Sequence, residues 1–413
     1  MLLRFLGGAQ EVGRSAVLLE DGKQLLLDYG VKLDHKTEYP LEIPKADTTV
    51  LSHAHLDHCG FAPALYNKTF PPTVGTAPTL QLSLLLLEDS IAIAKKQHAQ
   101  ERFHKRQIRS FENRFVGLDY HSRTDSNGFD IELFDAGHIS GSAITLVNRK
   151  GLRIVYTGDF KLKEQRLHKG AEVVKSDVLI TESTYANRIH PDTHELVDKF
   201  IGKIREVLDN GGTALVPAFA VGRSQEILAI LCEHGLAGRT YLDGMAKSAT
   251  STVLRYPQFI TREDLLAKAV SEATLISEHG DRDMALSEPS IIVTTAGMLN
   301  GGPVLDYITR LNRNSYIFLT GYQIEGTNGR LLLDKGKIVV HGNARKITTP
   351  VSYYDFSAHA DKDDLYEYIK RSGPHTVICM HGDAEDTIQF AENLKLDGYD
   401  AHAPKNGDTI EIK

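Results

Sequence analysis

Leu51-Ser52-His53-Ala54-His55-Leu56-Asp57-His58-Cys59-Gly60 places three imidazoles and one carboxylate within the six positions from 53 to 58. An apolar approach, Thr49 to Leu51, precedes the run, which therefore reads as a strand end and the tight turn beyond it. Side chains two apart on a strand point the same way, so His53 and His55 can grip one ion. The turn then presents Asp57 and His58 to a second ion beside the first. Neutral imidazole with carboxylate suits zinc, whereas calcium and magnesium sites are built from oxygen.

Working outward, Asp135-Ala136-Gly137-His138 and Val155-Tyr156-Thr157-Gly158-Asp159 each close a strand-like run. Alone, His138 and Asp159 would pass as ordinary turn residues. Beside the cluster, both fall where loops converge. A carboxylate such as Asp159 can bridge two cations, and a hydroxide held between them is the nucleophile such sites supply. Ser15 to Leu19 and Gln24 to Asp28 read as strands joined through Asp21-Gly22 in a two-residue turn. Further strands are expected at Ile131 to Phe134, Ala143 to Val147 and Leu152 to Thr157, with helical composition from Ala77 to Arg109.

The 413 residues are 41% hydrophobic and 24% charged, which excludes disordered, collagen-like and disulfide-scaffold chains. Lys+Arg 47 against Asp+Glu 54 leaves −7, so any grip on a polyanion must be local. Cys59, Cys232 and Cys379 are too few and scattered for a disulfide framework, which fits a reducing, cytoplasmic setting. The apolar stretch around Leu80 to Leu87 is too short to span a bilayer, and no membrane role is expected. Eighteen histidines are the unusual count. Past residue 186 the texture changes. Asp192 with Glu195 opens an amphipathic helix, and strand-like runs then alternate with Gly-containing loops and helices. That alternation implies a mostly parallel sheet inserted between 187 and 347, within a domain that starts at 1–186 and resumes at 348–413.

HAHLDH, with Asp28 before it and His138 and Asp159 after it, resembles the metallo-β-lactamase fold. Thr181-Glu182-Ser183-Thr184-Tyr185, Ser357-Ala358-His359-Ala360-Asp361 and Met380-His381-Gly382 are similar to the three extra motifs of the β-CASP nucleases. Gly7-Gly8-Ala9-Gln10-Glu11-Val12-Gly13-Arg14-Ser15 resembles the nuclease subunit of the cleavage and polyadenylation specificity factor and its prokaryotic relatives. The resemblance covers essentially the whole chain. It implies an α/β architecture, an αββα sandwich with an inserted β-CASP domain whose parallel sheet is flanked by helices.

It further implies two zinc ions, one on His53, His55 and His138, the other on Asp57, His58 and His381, with Asp159 bridging. Asp28 would orient the cluster from behind. Glu182 and His359 would pair beside the scissile phosphate, His359 protonating the departing 3′ oxygen. Cys59 reads as a small packed residue rather than a thiolate ligand. The expected activity is zinc-dependent hydrolysis of single-stranded RNA, endonucleolytic and in part 5′-to-3′ exonucleolytic, leaving 5′-phosphate and 3′-hydroxyl ends. RNA would thread between the body and the inserted cap. A homodimer or RNA-processing partners are compatible with this reading. Rival readings are a strict 5′-to-3′ exoribonuclease of the RNase J kind, a thioester or small-molecule hydrolase, and a non-catalytic RNA-binding scaffold.

In the inserted segment, Pro217-Ala218-Phe219-Ala220-Val221-Gly222-Arg223-Ser224-Gln225 precedes a helix, whose first N–H groups with Arg223 and Ser224 suit a phosphate. Lys247-Ser248 and Thr327-Asn328-Gly329-Arg330 offer similar chemistry at other strand ends. Phe219 and Tyr322 are candidates for base stacking or for packing.

Overall fold

Two seven-stranded sheets organise the first of two compact units in this computed structural model, which describes residues 1–33, 37–96, 98–340 and 342–412. That unit comprises Met1–Glu164, Lys169–Ile189 and Ala358–Lys413; the second comprises Gln165–His168 and His190–Ser357. One sheet runs Thr409–Glu411, Leu2–Gly7, Ala16–Glu20, Gln24–Leu27, Thr48–Val50, Thr73–Gly75 and Phe115–Gly117. The other runs Asp400–His402, Thr376–Met380, Val178–Glu182, Leu152–Tyr156, Ala143–Arg149, Phe129–Asp135 and Arg123–Ser126. Alternation decides which face packs inward. Leu3, Phe5, Val17, Leu19, Leu25 and Leu27 of the first sheet meet Phe129, Ile131, Leu133, Val147, Ile154 and Ile378 of the second in one buried cluster. The outer faces are covered by helices. Leu87, Ile91, Ile108 and Phe111 cover one, and Tyr368, Ile369, Phe390 and Leu394 the other. These layers are the metallo-β-lactamase αββα sandwich.

Local chemistry explains the turns. Leu152 pairs with Arg149, which leaves a two-residue loop, Lys150-Gly151, with φ of 52° and 82°. Positive φ at both positions is the hairpin turn that follows the strands' own twist. The earlier hairpin differs from the two-residue expectation at Asp21-Gly22. Glu20 pairs with Gln24, so the loop is Asp21-Gly22-Lys23, closed by the Asp21 N–H donating to the Lys23 carbonyl at 2.9 Å, with Gly22 at φ 70°.

The helical stretch from residue 77 forms two helices, Ala77–Lys96 and Lys105–Asn113. Ala77–Lys96 extends well past the apolar run around Leu80 to Leu87 and is long and apolar enough, by length and composition, to cross a membrane. Its Leu82, Leu87 and Ile91 are nonetheless buried in this unit, and Glu88 and Asp89 lie within it.

The second unit holds a six-stranded, all-parallel sheet ordered Thr274–Leu275, Thr240–Asp243, Ile291–Thr294, Ala214–Pro217, Tyr316–Leu319 and Val351–Tyr353. Its first helix, Thr193–Asp209, begins at Asp192, whose carboxylate accepts the N–H groups of His194 and Glu195 at 2.9 and 3.0 Å. Val351–Tyr353 hydrogen-bonds to Tyr316–Leu319 as the sheet's edge strand, so residues 348–357 belong to this unit, which ends at Ser357. The expected return at 348 marks the end of the sheet's last loop, whereas the chain leaves the unit only after its edge strand.

Candidate metal centre

The cluster sits at the strand ends of the first unit, and each member is held by its own backbone environment. His53 and His55 leave the strand Thr48–Val50, while Asp57 and His58 occupy the one-turn helix Leu56–Cys59. The Asp57 carbonyl accepts the Ser15 N–H at 2.8 Å and passes so close to Gly30 that a Cβ there would stand 1.7 Å from it. Glycine at 30 is therefore required by the close approach. His381 follows the strand Thr376–Met380 at φ 51°, its N–H donating to the Gly8 carbonyl at 2.7 Å. That bond ties the glycine-rich opening motif to the centre.

Three groups of candidate ligands result, the atoms of each within 4.8 Å of one another: His53, His55, His138 and Asp159; Asp57, His58, Asp159 and His381; and Asp159, Glu182 and His359. The His53 and His138 Nε2 atoms lie 3.2 and 3.1 Å from His55 Nδ1. Asp159 faces both sides. One carboxylate oxygen is 3.2 Å from His58 Nε2 and 3.3 Å from His381 Nδ1; the other is 3.5 Å from His53 Nε2. His381 Nε2 is 3.4 Å from Asp57. All of the sequence-derived ligand candidates thus meet in one place.

The rear nitrogens are spoken for. His58 Nδ1 donates to Asp28 at 2.6 Å and His138 Nδ1 to the Ala358 carbonyl at 2.8 Å, while His53 Nδ1 lies 3.0 Å from the Ser52 hydroxyl. Because a carboxylate and a carbonyl only accept, Nδ1 of His58 and of His138 carries a proton and Nε2 is the nitrogen that faces the cluster. Asp28 is fully buried and also accepts the Ser52 N–H and hydroxyl and the Tyr156 hydroxyl, each at 2.7 Å. Ser52 and Tyr156 are the supports that reading by motif passes over. Ser52 lies immediately before the histidine run and Tyr156 three residues before Asp159, but neither type advertises such a role.

Metal fits this donor set. Among the described residues, His58 Nε2, His381 Nε2 and one Asp159 oxygen are buried without a hydrogen-bond partner, an arrangement that proteins avoid unless something else satisfies the atoms. Burial, then the neighbouring His58 charge, holds His53 well below the usual histidine range; burial, then His359, does the same to His138. Both stay neutral and able to ligate. The neighbouring histidines hold the Asp159 carboxyl well below its usual range despite the opposing effect of burial. Asp28→Asn is expected to weaken metal binding about 10- to 100-fold, the usual effect of losing a residue that orients a ligand. Competition with a chromophoric chelator measures it, and unchanged affinity would contradict the orienting role.

His359 Nδ1 lies 2.9 Å from Glu182, whose other oxygen accepts the Phe160 N–H at 2.8 Å. Lys161 donates to the His359 carbonyl at 3.1 Å, a second support with no motif of its own. The side chains of His359 and Asp57 are 21% and 31% exposed, so the cluster opens to solvent on their side. Cys59 is buried, its thiol on the Ala54 carbonyl at 3.1 Å, and it takes no part.

The phosphate-binding candidates of the second unit are scattered in their roles. Arg223 opens the helix Arg223–Glu233, but the Ser224 hydroxyl is buried and donates to the Phe219 carbonyl at 2.7 Å. Lys247 donates to the Ile276 carbonyl, Ser248 is exposed on the helix Ala246–Leu254, and Arg330 pairs with Asp334 at 2.9 Å. Phe219 is half-buried and Tyr322 is 48% exposed.

Comparison with known proteins agrees with this geometry. Residues 224–332 match the Beta-Casp domain, residues 344–404 the Zn-dependent metallo-hydrolase RNA specificity domain, and residues 8–208 the Anti-Pycsar protein Apyc1. The chain is 40% identical to Probable RNase MJ4 of Methanocaldococcus jannaschii, covering 100% of both. It is 36% identical to RNase aCSPSF2 of Saccharolobus solfataricus, covering 99% of this chain and 85% of that one. It is also 32% identical to Transcription termination factor FttA of M. jannaschii, of which it covers 71%. A crystal structure of a protein of unknown function from Enterococcus faecalis V583 shares the fold, with a TM-score of 0.63 over 99% of both chains at 14% identity. The protein is a metal-dependent ribonuclease, and the chain belongs to the β-CASP metallo-β-lactamase ribonucleases of the archaeal type related to the cleavage and polyadenylation specificity factor.

Proposed function

We propose that the chain uses two zinc ions to cut single-stranded RNA internally, leaving 5′-phosphate and 3′-hydroxyl ends. The observation that carries this reading is Asp159, whose two oxygens serve two histidine-rich ligand sets at once and also lie beside the Glu182–His359 pair. His53, His55 and His138 would hold one ion, Asp57, His58 and His381 the other, and Asp159 both. When bound, the ions supply Lewis acidity toward the phosphate and water of pKa about 7 as a nucleophile source. The chain's own residues do the rest. Asp28 and Ser52 keep the imidazole lone pairs inward. Glu182 holds His359 Nδ1, which leaves Nε2 to give its proton to the departing 3′ oxygen. The charges of Glu182 and Asp159 outweigh the opposing effect of burial and push His359 up to about 9, so it carries that proton at neutral pH. Bound cations beside Asp159 would draw the value back toward neutrality. Three buried, unpaired cysteines support a reducing, cytoplasmic setting.

Internal cutting, rather than trimming from a 5′ end, is supported by the opening Gly7-to-Ser15 motif and the Thr181-to-Tyr185 motif. Both follow the cleavage-factor pattern rather than that of RNase J. Circular single-stranded RNA decides. Zinc-loaded protein is expected to linearise it, and a chelator to stop the reaction. An intact circle beside a linear 5′-monophosphorylated RNA shortened from its 5′ end would replace internal cutting with exonucleolysis.

A further inference from the structure

A two-stranded hairpin in the second unit, Lys337–Val340 paired antiparallel with Asn343–Lys346, gathers cations with no acid partner among the described residues. From Lys335 to Pro350 the sequence contains no Asp or Glu. Lys335, Lys337, Arg345 and Lys346 are exposed, and none of the four makes an ion pair among the described residues. Other surface cations of the same unit do: Lys199 with Glu195 at 3.3 Å, Arg310 with Asp306 at 3.2 Å, Arg330 with Asp334 at 2.9 Å. Lys337 also lies directly opposite Lys346 across the ladder, a like-charge pairing that weakens a sheet. A chain with net charge −7 has gathered unmatched positive charge here, at a cost to the hairpin's own stability.

The hairpin is nevertheless firmly seated. Ile338 and Val340 are buried in the unit's core cluster, and the Asn328 side chain accepts the Val339 N–H at 2.7 Å and donates to its carbonyl at 2.9 Å. Asn328 belongs to a motif whose composition suits phosphate contact, but it instead holds the strand that presents the lysines.

We infer that this hairpin is a binding site for the phosphodiester backbone of RNA, an inference that rests on the ribonuclease reading and adds a contact surface to it. It has no exposed aromatic ring among its strand residues, so it grips phosphates and does not read bases. The stretch that matches the RNA specificity domain begins at residue 344, within the strand Asn343–Lys346.

The test is salt-dependent binding of a fluorescent single-stranded RNA, followed by anisotropy in a His55→Ala background that blocks turnover. Each backbone contact contributes about 0.7 to the slope of log K against log salt for single strands. Lys337→Gln/Arg345→Gln/Lys346→Gln should flatten that slope by about 2, equally for U-rich and A-rich RNA. The triple variant should melt no lower than its parent, because the Lys337–Lys346 repulsion is gone. Lys199→Gln/Lys268→Gln, the control that removes cations paired with Glu195 at 3.3 Å and with Glu272 at 3.8 Å, should leave the slope in place. Parallel salt lines for parent and triple variant, or equal flattening by the control, would overturn the hairpin site. Failure of wild-type protein to cleave RNA would sink the functional reading instead, and the binding slopes would still decide this one.

Discussion

Asp159→Asn protein is expected to retain at most one of the two zinc ions proposed for the centre and to lose RNA cleavage by at least about 10³-fold, beyond the 10- to 100-fold usual for a residue that merely supports a ligand. The reason is topological. Asp159 is the one residue common to all three groups of candidate ligands, with one oxygen toward His58 and His381 and the other toward His53. An amide of the same size keeps the packing but removes the charge that offsets two cations. It also replaces one acceptor oxygen with an N–H donor aimed at imidazole lone pairs. The substitution therefore acts on both ions at once, whereas loss of His55 or His381 touches one. Zinc per chain by elemental analysis, together with cleavage of end-labelled RNA, measures both effects. Two zinc ions retained with near-normal cleavage would remove Asp159 from the centre.

Much of this centre is legible in the sequence because the chemistry is concentrated in short motifs. Six consecutive positions supply four of the ligand candidates, and a local pattern survives without knowledge of the fold. The supports are not legible in that way, because their partners are distant in the chain. The Tyr156 hydroxyl reaches Asp28 across 128 positions, and Lys161 reaches His359 across 198. Neither tyrosine nor lysine is distinctive enough to mark such a role. Gly30 escapes notice for the same reason, since only the approach of the Asp57 carbonyl makes a side chain there impossible. In the inserted unit, the glycine loops draw attention by composition, yet Ser224 and Lys247 use their polar groups inside the fold. The unmatched cations lie in a hairpin that carries no motif; its acid-free stretch can be read in the sequence, but the lack of ion pairs among the described residues is a property of the folded surface.

His359→Ala separates acid catalysis from metal binding. His359 holds Glu182 at 2.9 Å and stands 3.9 Å from Asp159, at the edge of the ligand sets. Its removal is expected to leave the metal content unchanged and to lower kcat by about 10²- to 10⁴-fold, the range for a positioned proton donor. KM should change little, because the lost interaction develops only as the 3′ oxygen takes on charge. A leaving group that needs no proton discriminates this role from a structural one. With RNA bearing sulfur in place of the bridging 3′ oxygen, the departing thiolate is stable unprotonated, so the variant should approach wild-type rates on that substrate while remaining slow on the oxygen ester. Glu182→Gln should behave as a milder copy, since the amide still contacts His359 but no longer favours its charged form. An equal defect on sulfur and oxygen substrates would mean that His359 shapes the site without donating the proton, and zinc lost along with activity would place it among the ligands.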